Sequence, residues 1–504
     1  MDITNSLVGH KLDTSPGQSL YQQIAAIIAE KIHSRAFPPG TKLPPERDLA
    51  HLFRVSRTTA INAYRLLEQQ DLVRTRVGSG TYVSHRPAAE TNKEVPWTQL
   101  FRSHSHSQAS TVLRELVSAG SSHADLISFA TGMPDPQFYP IKTMSALFSK
   151  YTGSLNKADF GYISPEGYGP LRGSISEMLK DSGINARPEE IMVVSGSQQG
   201  LYLLSKALLE PGDYAVMESP TFLGAIQAFQ AAGAKILSID TTRPHYLAVL
   251  EDYLIRYRPK LLYIMPTYQN PTGNTLSLKE RQDLIDLAAR HRLVIVEDDP
   301  YGELHYGETP PPALKALDTY GGVVYLSTFS KILIPGLKIG YVAASPLLIE
   351  RMTYNKQYID LNTNSVTQWL VHKYLEEGRL KDHLSLVREE YQKRRDTMAR
   401  ALRRFCEDAL TYAIPGGGYY FWCRTAKAGA VGRILHEAVK NGVSFVPGDA
   451  FYALEAPGKE FRLCFATHGE AVITEGIRRL GKALSILKKD KRQDRGPVPG
   501  PPIV

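Results

Sequence analysis

The stretch Ser327-Thr328-Phe329-Ser330-Lys331, continuing as Ile332-Leu333-Ile334-Pro335-Gly336-Leu337-Lys338-Ile339-Gly340-Tyr341, follows an apolar run over 323–326. A lysine that closes a small-residue turn after a strand, with a second cation seven residues on, suits imine formation with a phosphorylated aldehyde. In that reading Lys331 supplies the imine nitrogen, Thr328 and Ser330 turn hydroxyls toward the phosphate, and Lys338 gives the counter-charge. A lysine after a serine is most often a solvated surface group, so the remaining strand ends have to decide.

Strand-like runs at 191–195, 214–217, 235–239, 261–265 and 293–296 alternate with helical patterns at 198–209, 222–232 and 278–291. Such alternation predicts an open α/β sheet covered on both faces, with ligands at the carboxyl ends of its strands. Ser195-Gly196-Ser197-Gln198-Gln199-Gly200 follows one strand and opens a helix, where free backbone N–H groups attract an anion. Pro266-Thr267-Tyr268-Gln269-Asn270-Pro271 follows another and holds Asn270 rigidly, although an ordinary Asn-Pro turn has the same pattern. Glu297-Asp298-Asp299-Pro300-Tyr301 follows a third, and a buried carboxylate there suits pairing with a protonated pyridine nitrogen.

An amine, a carboxylate, an amide and a phosphate cradle in this order resemble the fold-type I pyridoxal-phosphate aminotransferases, particularly the branch with aminoadipate and aromatic transaminases, over residues 126–487. The resemblance implies Lys331 as the Schiff-base lysine, Asp298 on the ring nitrogen, Asn270 and Tyr301 on the phenolic oxygen, and Phe222 stacked on the ring. It also implies Ser197, Gln198, Thr328 and Lys338 at the phosphate, with Tyr162 of Phe160-Gly161-Tyr162 contributed by the partner subunit. Arg462, in Glu460-Phe461-Arg462-Leu463, would grip a substrate or effector carboxylate as a bidentate fork. Two positions depart from the pattern. Lys338 replaces the usual Arg, keeping a point charge and losing a planar fork, and Phe222 replaces the common Tyr, keeping the stacking face.

Ahead of this domain, apolar residues recur at helical spacing from Leu20 to Arg35, and Phe37-Pro38-Pro39-Gly40 stops that helix. Leu43-Pro44-Pro45-Glu46-Arg47 starts a short second helix ending near Phe53, and Ser56 caps a third. On the third, Ile61, Tyr64 and Leu67 are expected in the core, with Arg57, Thr58, Asn62 and Arg65 outside. Val77-Gly78-Ser79-Gly80 then turns a hairpin, on which Arg74 and Arg76 can reach phosphates or the minor groove. This is a helix-turn-helix with a wing, although spacing alone leaves a protein partner open. The blocks Leu43 to Arg47, Val55-Ser56-Arg57-Thr58-Thr59 and Gly78 to Val83 resemble the winged helix-turn-helix of the GntR family. That resemblance implies double-stranded DNA contacts by Arg47, Ser56, Arg57, Thr58, Thr59, Asn62, Arg76 and Gly80.

A winged helix joined to an aminotransferase-like domain is the layout of the MocR subgroup of GntR regulators. It implies a homodimeric, pyridoxal 5'-phosphate-dependent transcriptional regulator that senses the cofactor, an amino acid or a related carboxylate. The alternative is a working aminotransferase with an accessory DNA-binding module. The expected architecture is an α+β head over 1–85, a linker over 86–110, and a large domain over 111–487 with a smaller C-terminal α+β subdomain from about 375. A basic, Pro/Gly-rich tail over 488–504 follows. In the linker, Trp97 to Phe101 reads as a docking segment; His104 and His106 have metal-ligand spacing but lack a neighbouring carboxylate or thiol.

Composition is in keeping with this layout. The 504 residues are 43% hydrophobic and 22% charged, and their net charge of +8 is concentrated at the two ends. Apolar runs fall short of a membrane span, a secretory pattern is missing from the first residues, and three scattered cysteines indicate neither disulfides nor zinc. The expectation is a cytoplasmic protein without a metal.

Overall fold

A computed structural model describes residues 19–34, 36–76, 79–84, 125–154 and 157–485, with Leu7 and Leu12. The expected linker at 86–110, including its Trp97 segment and two histidines, and the tail at 488–504 lie outside the described residues. The chain divides into two compact units, 1–104 and 105–504.

In the first unit, α1 (Leu20–His33) buries Ile24, Ala25 and Ile28. Helix α2 (Glu46–Phe53) begins behind Pro45 and stops at Arg54, whose φ is +53°. Helix α3 (Arg57–Gln69) starts at Ser56, whose Oγ accepts the Thr59 N–H at 3.1 Å; such a cap contributes about 1 kcal/mol. The core face of α3 differs from expectation. Tyr64 and Leu67 are buried, but Ala60 and Ala63 fill the remaining places while Ile61 is only half-buried. Where α3 packs on α1, small side chains allow close approach and the bulkier isoleucine stays at the rim. Tyr64 donates to Pro44 O at 2.6 Å, tying α3 to the start of α2. Strands β1 (Val73–Arg76) and β2 (Gly80–Val83) form the antiparallel wing.

The second unit begins with β3 (Ile127–Ser128), α4 (Ile141–Tyr151) and α5 (Gly169–Asp181). Strands β4 (Ile191–Val194), β5 (Tyr214–Glu218), β6 (Lys235–Ile239), β7 (Leu261–Ile264), β8 (Val294–Asp298), β9 (Val323–Thr328) and β10 (Gly340–Ala343) make one sheet. Its order is β4-β10-β9-β8-β7-β5-β6. Helices α6 (Ser197–Leu208), α7 (Leu223–Ala231), α8 (Tyr246–Tyr257) and α9 (Leu278–His291) connect its strands. Every residue of β4, β7, β9 and β10 is buried, as a sheet covered on both faces requires. The acids read as following the strand at 293–296 are instead within it, since Glu297 and Asp298 are the last two residues of β8.

After α10 (Pro346–Gln357), α11 (Ser365–Glu376) and the long α12 (Arg379–Cys406), a second, four-stranded antiparallel sheet forms. It consists of β11 (Leu410–Tyr412), β12 (Tyr420–Thr425), β14 (Val446–Pro447) and β15 (Glu460–Cys464). Strand β13 (Val443–Ser444), which follows α13 (Val431–Lys440), pairs with β3, and α14 (Glu470–Leu484) packs on α12.

Strand β10 runs antiparallel to β4 and β9, with Gly340 opposite both Val194 and Thr328. A Cβ on Gly340 would lie 2.9 Å from Gly196 C and Ser327 O and 3.0 Å from Ser197 N, all backbone. The start of α6 and the end of β9 can therefore meet only over a glycine. Two carboxyls are buried elsewhere in this unit. Glu218 accepts the Met265 N–H at 2.7 Å, and Glu297 accepts those of Leu314 and Lys315 at 2.8 Å each. Burial pushes Glu218 up to about 8 and Glu297 up to about 7, outweighing these bonds.

Gly340→Ala should lower stability by about 2 kcal/mol, read as a lower urea midpoint. The two carboxyls keep their protons in the folded chain at pH values where the unfolded chain has lost them. Ligand-free stability therefore falls as pH rises from the ordinary carboxylate range toward 8. Glu218→Gln should flatten that fall by up to about 1.4 kcal/mol per pH unit, measured by urea denaturation across the range.

Candidate cofactor pocket and DNA-reading face

Strand β9 ends at Thr328, and the chain turns over Phe329 and Ser330 to Lys331. Thr328 Oγ1 accepts the Ser330 N–H at 3.1 Å and lies 3.0 Å from Ser330 Oγ and 3.1 Å from Ile339 O. The turn is thus held by its own hydroxyls. Lys331 Nζ donates to Gly132 O at 2.7 Å, and Tyr419 OH donates to Lys331 O. Burial brings the amine down to about 8, against a smaller opposing pull from Asp298.

Asp298 is buried at the end of β8. Its Oδ2 accepts the Tyr263 hydroxyl at 2.7 Å, while Oδ1, equally buried, has no hydrogen-bond partner. Burial pushes this carboxyl up to about 7, with the Tyr263 bond and Lys331 acting in the opposite direction. Asp299, one residue on, is occupied by Tyr325 OH at 3.0 Å and Gly302 N at 2.8 Å.

Asn270 Oδ1 accepts from Arg462 Nη1 at 2.7 Å, and Arg462 Nη2 donates to Ala130 O at 2.9 Å. The guanidinium lies 4.2 Å from the Tyr420 ring centroid and 4.8 Å from that of Phe451, and its Nε is buried without a partner. The expected open fork is therefore partly engaged inside the chain, with N–H donors to spare. Tyr301 OH is 2.9 Å from Tyr420 OH. Lys331, Asp298, Asn270, Tyr301 and Arg462 thus converge, since Arg462 acts electrostatically on both Lys331 and Tyr301.

The phosphate candidates are arranged less uniformly. Ser197 opens α6 behind Gly196, whose φ is +80°. Gln198 Nε2 donates one N–H to Gly224 O at 2.9 Å, so its side-chain amide braces α7 and keeps its second N–H, with the backbone N–H, for an anion. Phe222, half-buried, precedes α7. Lys338 is exposed in a left-handed conformation, φ +54°, without an ion pair among the described residues. Tyr162 is 88% exposed and is not brought to this chain's own pocket.

Several participants were not read from the sequence. Tyr263 and Tyr420 hold Asp298 and Tyr301; the Gly416-Gly417-Gly418-Tyr419-Tyr420 run was the available signal for the second. Arg281 on α9 is fully buried and donates to Leu276 O, Pro266 O, Pro312 O and Thr267 Oγ1, fixing the loop that carries Asn270. Asp360 accepts from Gln199 Nε2 and from the fully buried Lys356, each at 2.8 Å, bracing the first turn of α6.

On the first unit, Arg47 and Thr58 are exposed without side-chain partners among the described residues, and Asn62 is half-buried. Arg57 donates to Glu46 Oε2 through Nη2 at 3.1 Å and Nε at 3.3 Å. An exposed pair of this kind is worth under about 1 kcal/mol, so a phosphate can compete for it. Ser56 and Thr59 share hydroxyls at 2.8 Å within the cap. Arg76 lies 5.2 Å from the Tyr82 ring centroid, and Gly80 adopts φ +118°.

The pocket fits a phosphorylated pyridine aldehyde. Oδ1 of Asp298 is a buried acceptor that a ring N–H would satisfy, and Lys331 is an amine brought near neutrality. Comparison with known proteins agrees at both ends of the chain. Residues 20–83 match the family described as bacterial regulatory proteins, gntR family, and residues 127–480 match aminotransferase class I and II. An uncharacterized HTH-type transcriptional regulator, YisV, of Bacillus subtilis is 33% identical over 85% of this chain and 89% of its own length. The 2-aminoadipate transaminase of Thermus thermophilus is 36% identical over 78% of this chain and 99% of its own. The crystal structure of LysN, the α-aminoadipate aminotransferase of Thermus thermophilus, complexed with N-(5'-phosphopyridoxyl)-L-leucine, superposes with a TM-score of 0.72. It covers 78% of this chain and 100% of that one at 35% identity. The chain belongs to the class I and II aminotransferase family and carries a GntR-family DNA-binding domain ahead of it.

Proposed function

We propose that this protein is a pyridoxal 5'-phosphate-dependent transcriptional regulator of the MocR type. The observation that carries the reading is one chain holding both a buried lysine–aspartate pocket and a winged helix with exposed cations. The regulator relative also spans both parts, at 85% of this chain. The protein acts in the cytoplasm as a homodimer on double-stranded operator DNA. Tyr162, exposed on its own chain, reaches the partner's pocket.

Lys331 would hold the cofactor covalently, Asp298 Oδ1 would accept its ring N–H, and Asn270 and Tyr301 would serve its phenolic oxygen. Ser197, Gln198, the turn at Thr328 and Ser330, and Lys338 would hold its phosphate, with Phe222 as the ring-stacking residue. When bound, the cofactor supplies a conjugated ring that takes up electron density from the α-carbon of an amino acid. Asp298 keeps the ring nitrogen protonated, and Arg462 orients the ligand carboxylate through its remaining N–H donors. With the ligand's amine taking its place on the cofactor, the freed Lys331 Nζ, its basicity lowered toward neutrality, would take and return the α-proton.

A second reading, a working aminotransferase, is favoured by the completeness of this set and by the 36% identity to a transaminase. Multiple turnovers with amino donors and 2-oxo acids, together with absent binding to the chain's own promoter, would select it.

Lys331→Ala should abolish the near-ultraviolet to visible absorption of the protein–cofactor adduct, and an unchanged spectrum would remove the pocket assignment. Arg57→Ala should weaken operator binding on the order of tenfold with that absorption unaltered. Footprinting on the promoter reads the DNA half.

A further inference from the structure

Tyr420 opens β12, paired with Cys464 on β15. From there its ring lies 4.2 Å from the Arg462 guanidinium, and its hydroxyl is 2.9 Å from that of Tyr301. Tyr301 is 1% exposed and Tyr420 2%, so water does not reach the pair. Among the described residues neither hydroxyl has a second hydrogen-bond partner. A Cβ on Gly132 would overlap the Tyr420 hydroxyl, so the segment whose carbonyl accepts from Lys331 leaves that hydroxyl its place only by carrying a glycine.

Burial holds both phenols protonated, with the Arg462 charge acting against burial on each, so the pair carries two protons. One lies in the bond between the hydroxyls, and the other is left for a third atom. With Tyr301 as donor, the spare proton is on Tyr420. With Tyr420 as donor, it is on Tyr301, the residue assigned above to the phenolic oxygen of the cofactor. A negative oxygen beside Tyr301 selects the second direction, and a hydroxyl that accepts one hydrogen bond donates a stronger one.

We infer that Tyr420 is a positioning residue of the cofactor pocket: its hydroxyl donates to the Tyr301 oxygen and thereby aims the Tyr301 proton at the phenolic oxygen. The inference rests on the cofactor reading above and deepens it. A donor on the phenolic oxygen draws off negative charge that would otherwise hold a proton on the Lys331 nitrogen beside it, so weaker donation raises the pH at which that nitrogen loses its proton. A pH titration of the visible absorption of the full chain loaded with pyridoxal 5'-phosphate reads this directly. Tyr420→Phe keeps the ring on Arg462 and removes only the hydroxyl; it should raise the midpoint by about 0.5 to 1 pH unit. Tyr301→Phe should raise it at least as far, and the double variant should match Tyr301→Phe alone, because Tyr420 acts through Tyr301. An unmoved midpoint in Tyr420→Phe, or a shift that adds in full to that of Tyr301→Phe, overturns the aiming role. Loss of the adduct in Tyr420→Phe overturns it as well and leaves Tyr420 a structural support. A wild-type chain that forms no adduct, or a spectrum unchanged by Lys331→Ala, overturns the cofactor reading itself and this role with it.

Discussion

The large unit is arranged around a carboxylate oxygen that the protein itself leaves unsatisfied. Asp298 ends β8 with Oδ2 bonded to Tyr263 and Oδ1 bare. A buried polar atom without a partner costs roughly 1–3 kcal/mol, a penalty that a bound ring N–H removes. The neighbouring strands follow the same arrangement. Strand β7 delivers Tyr263 from its interior, and β9 delivers Lys331 one turn beyond its end. Burial disfavours the charged form of both Asp298 and Lys331, while each charge favours that of the other. Burial thus moves both groups toward their neutral forms.

The framework around this pair is built from buried hydrogen bonds rather than surface charge. Arg281 spends its guanidinium on three carbonyls and a hydroxyl, so the loop carrying Asn270 is held by a cation that never reaches the pocket. Asp360 with buried Lys356 does the same for α6. Leaving Lys356 buried without Asp360 would be more costly than the pair is stabilising.

What the sequence made legible follows from how local each signal is. The apolar strands and capped helices were readable because their information lies within a few residues. Helix α9, for example, carries Ser277 and Glu280 as a reciprocal cap and spans 278–291 as expected. Strand ends were also legible, and Asp298 ends β8 while Lys331 follows the end of β9 at Thr328. Strand β10 as an antiparallel member was not, since it is wedged between β9, which immediately precedes it, and β4, whose Val194 is far away in the chain. Ile61 was assigned to the core because periodicity registers apolarity and not the room between two helices, which Ala60 and Ala63 set. Thr328 and Gln198 carry the residue types expected at a phosphate. Their partners, Ile339 O and Gly224 O, became visible only with the chain folded.

A sensor has to hold its ligand with different contacts in its two states, or the ligand shifts nothing. Segment 130–132 meets that requirement within the large unit. Its Ala130 carbonyl accepts from Arg462 and its Gly132 carbonyl from Lys331, the two cations that a carboxylate ligand and the cofactor would recruit. A group that takes the Lys331 amine withdraws the donor from Gly132 O, and a carboxylate on Arg462 competes with Ala130 O for the same guanidinium. The segment also has little room, because a Cβ on Gly132 would overlap the Tyr420 hydroxyl. Losing those donors would leave the buried Ala130 carbonyl and the half-buried Gly132 carbonyl to find new partners.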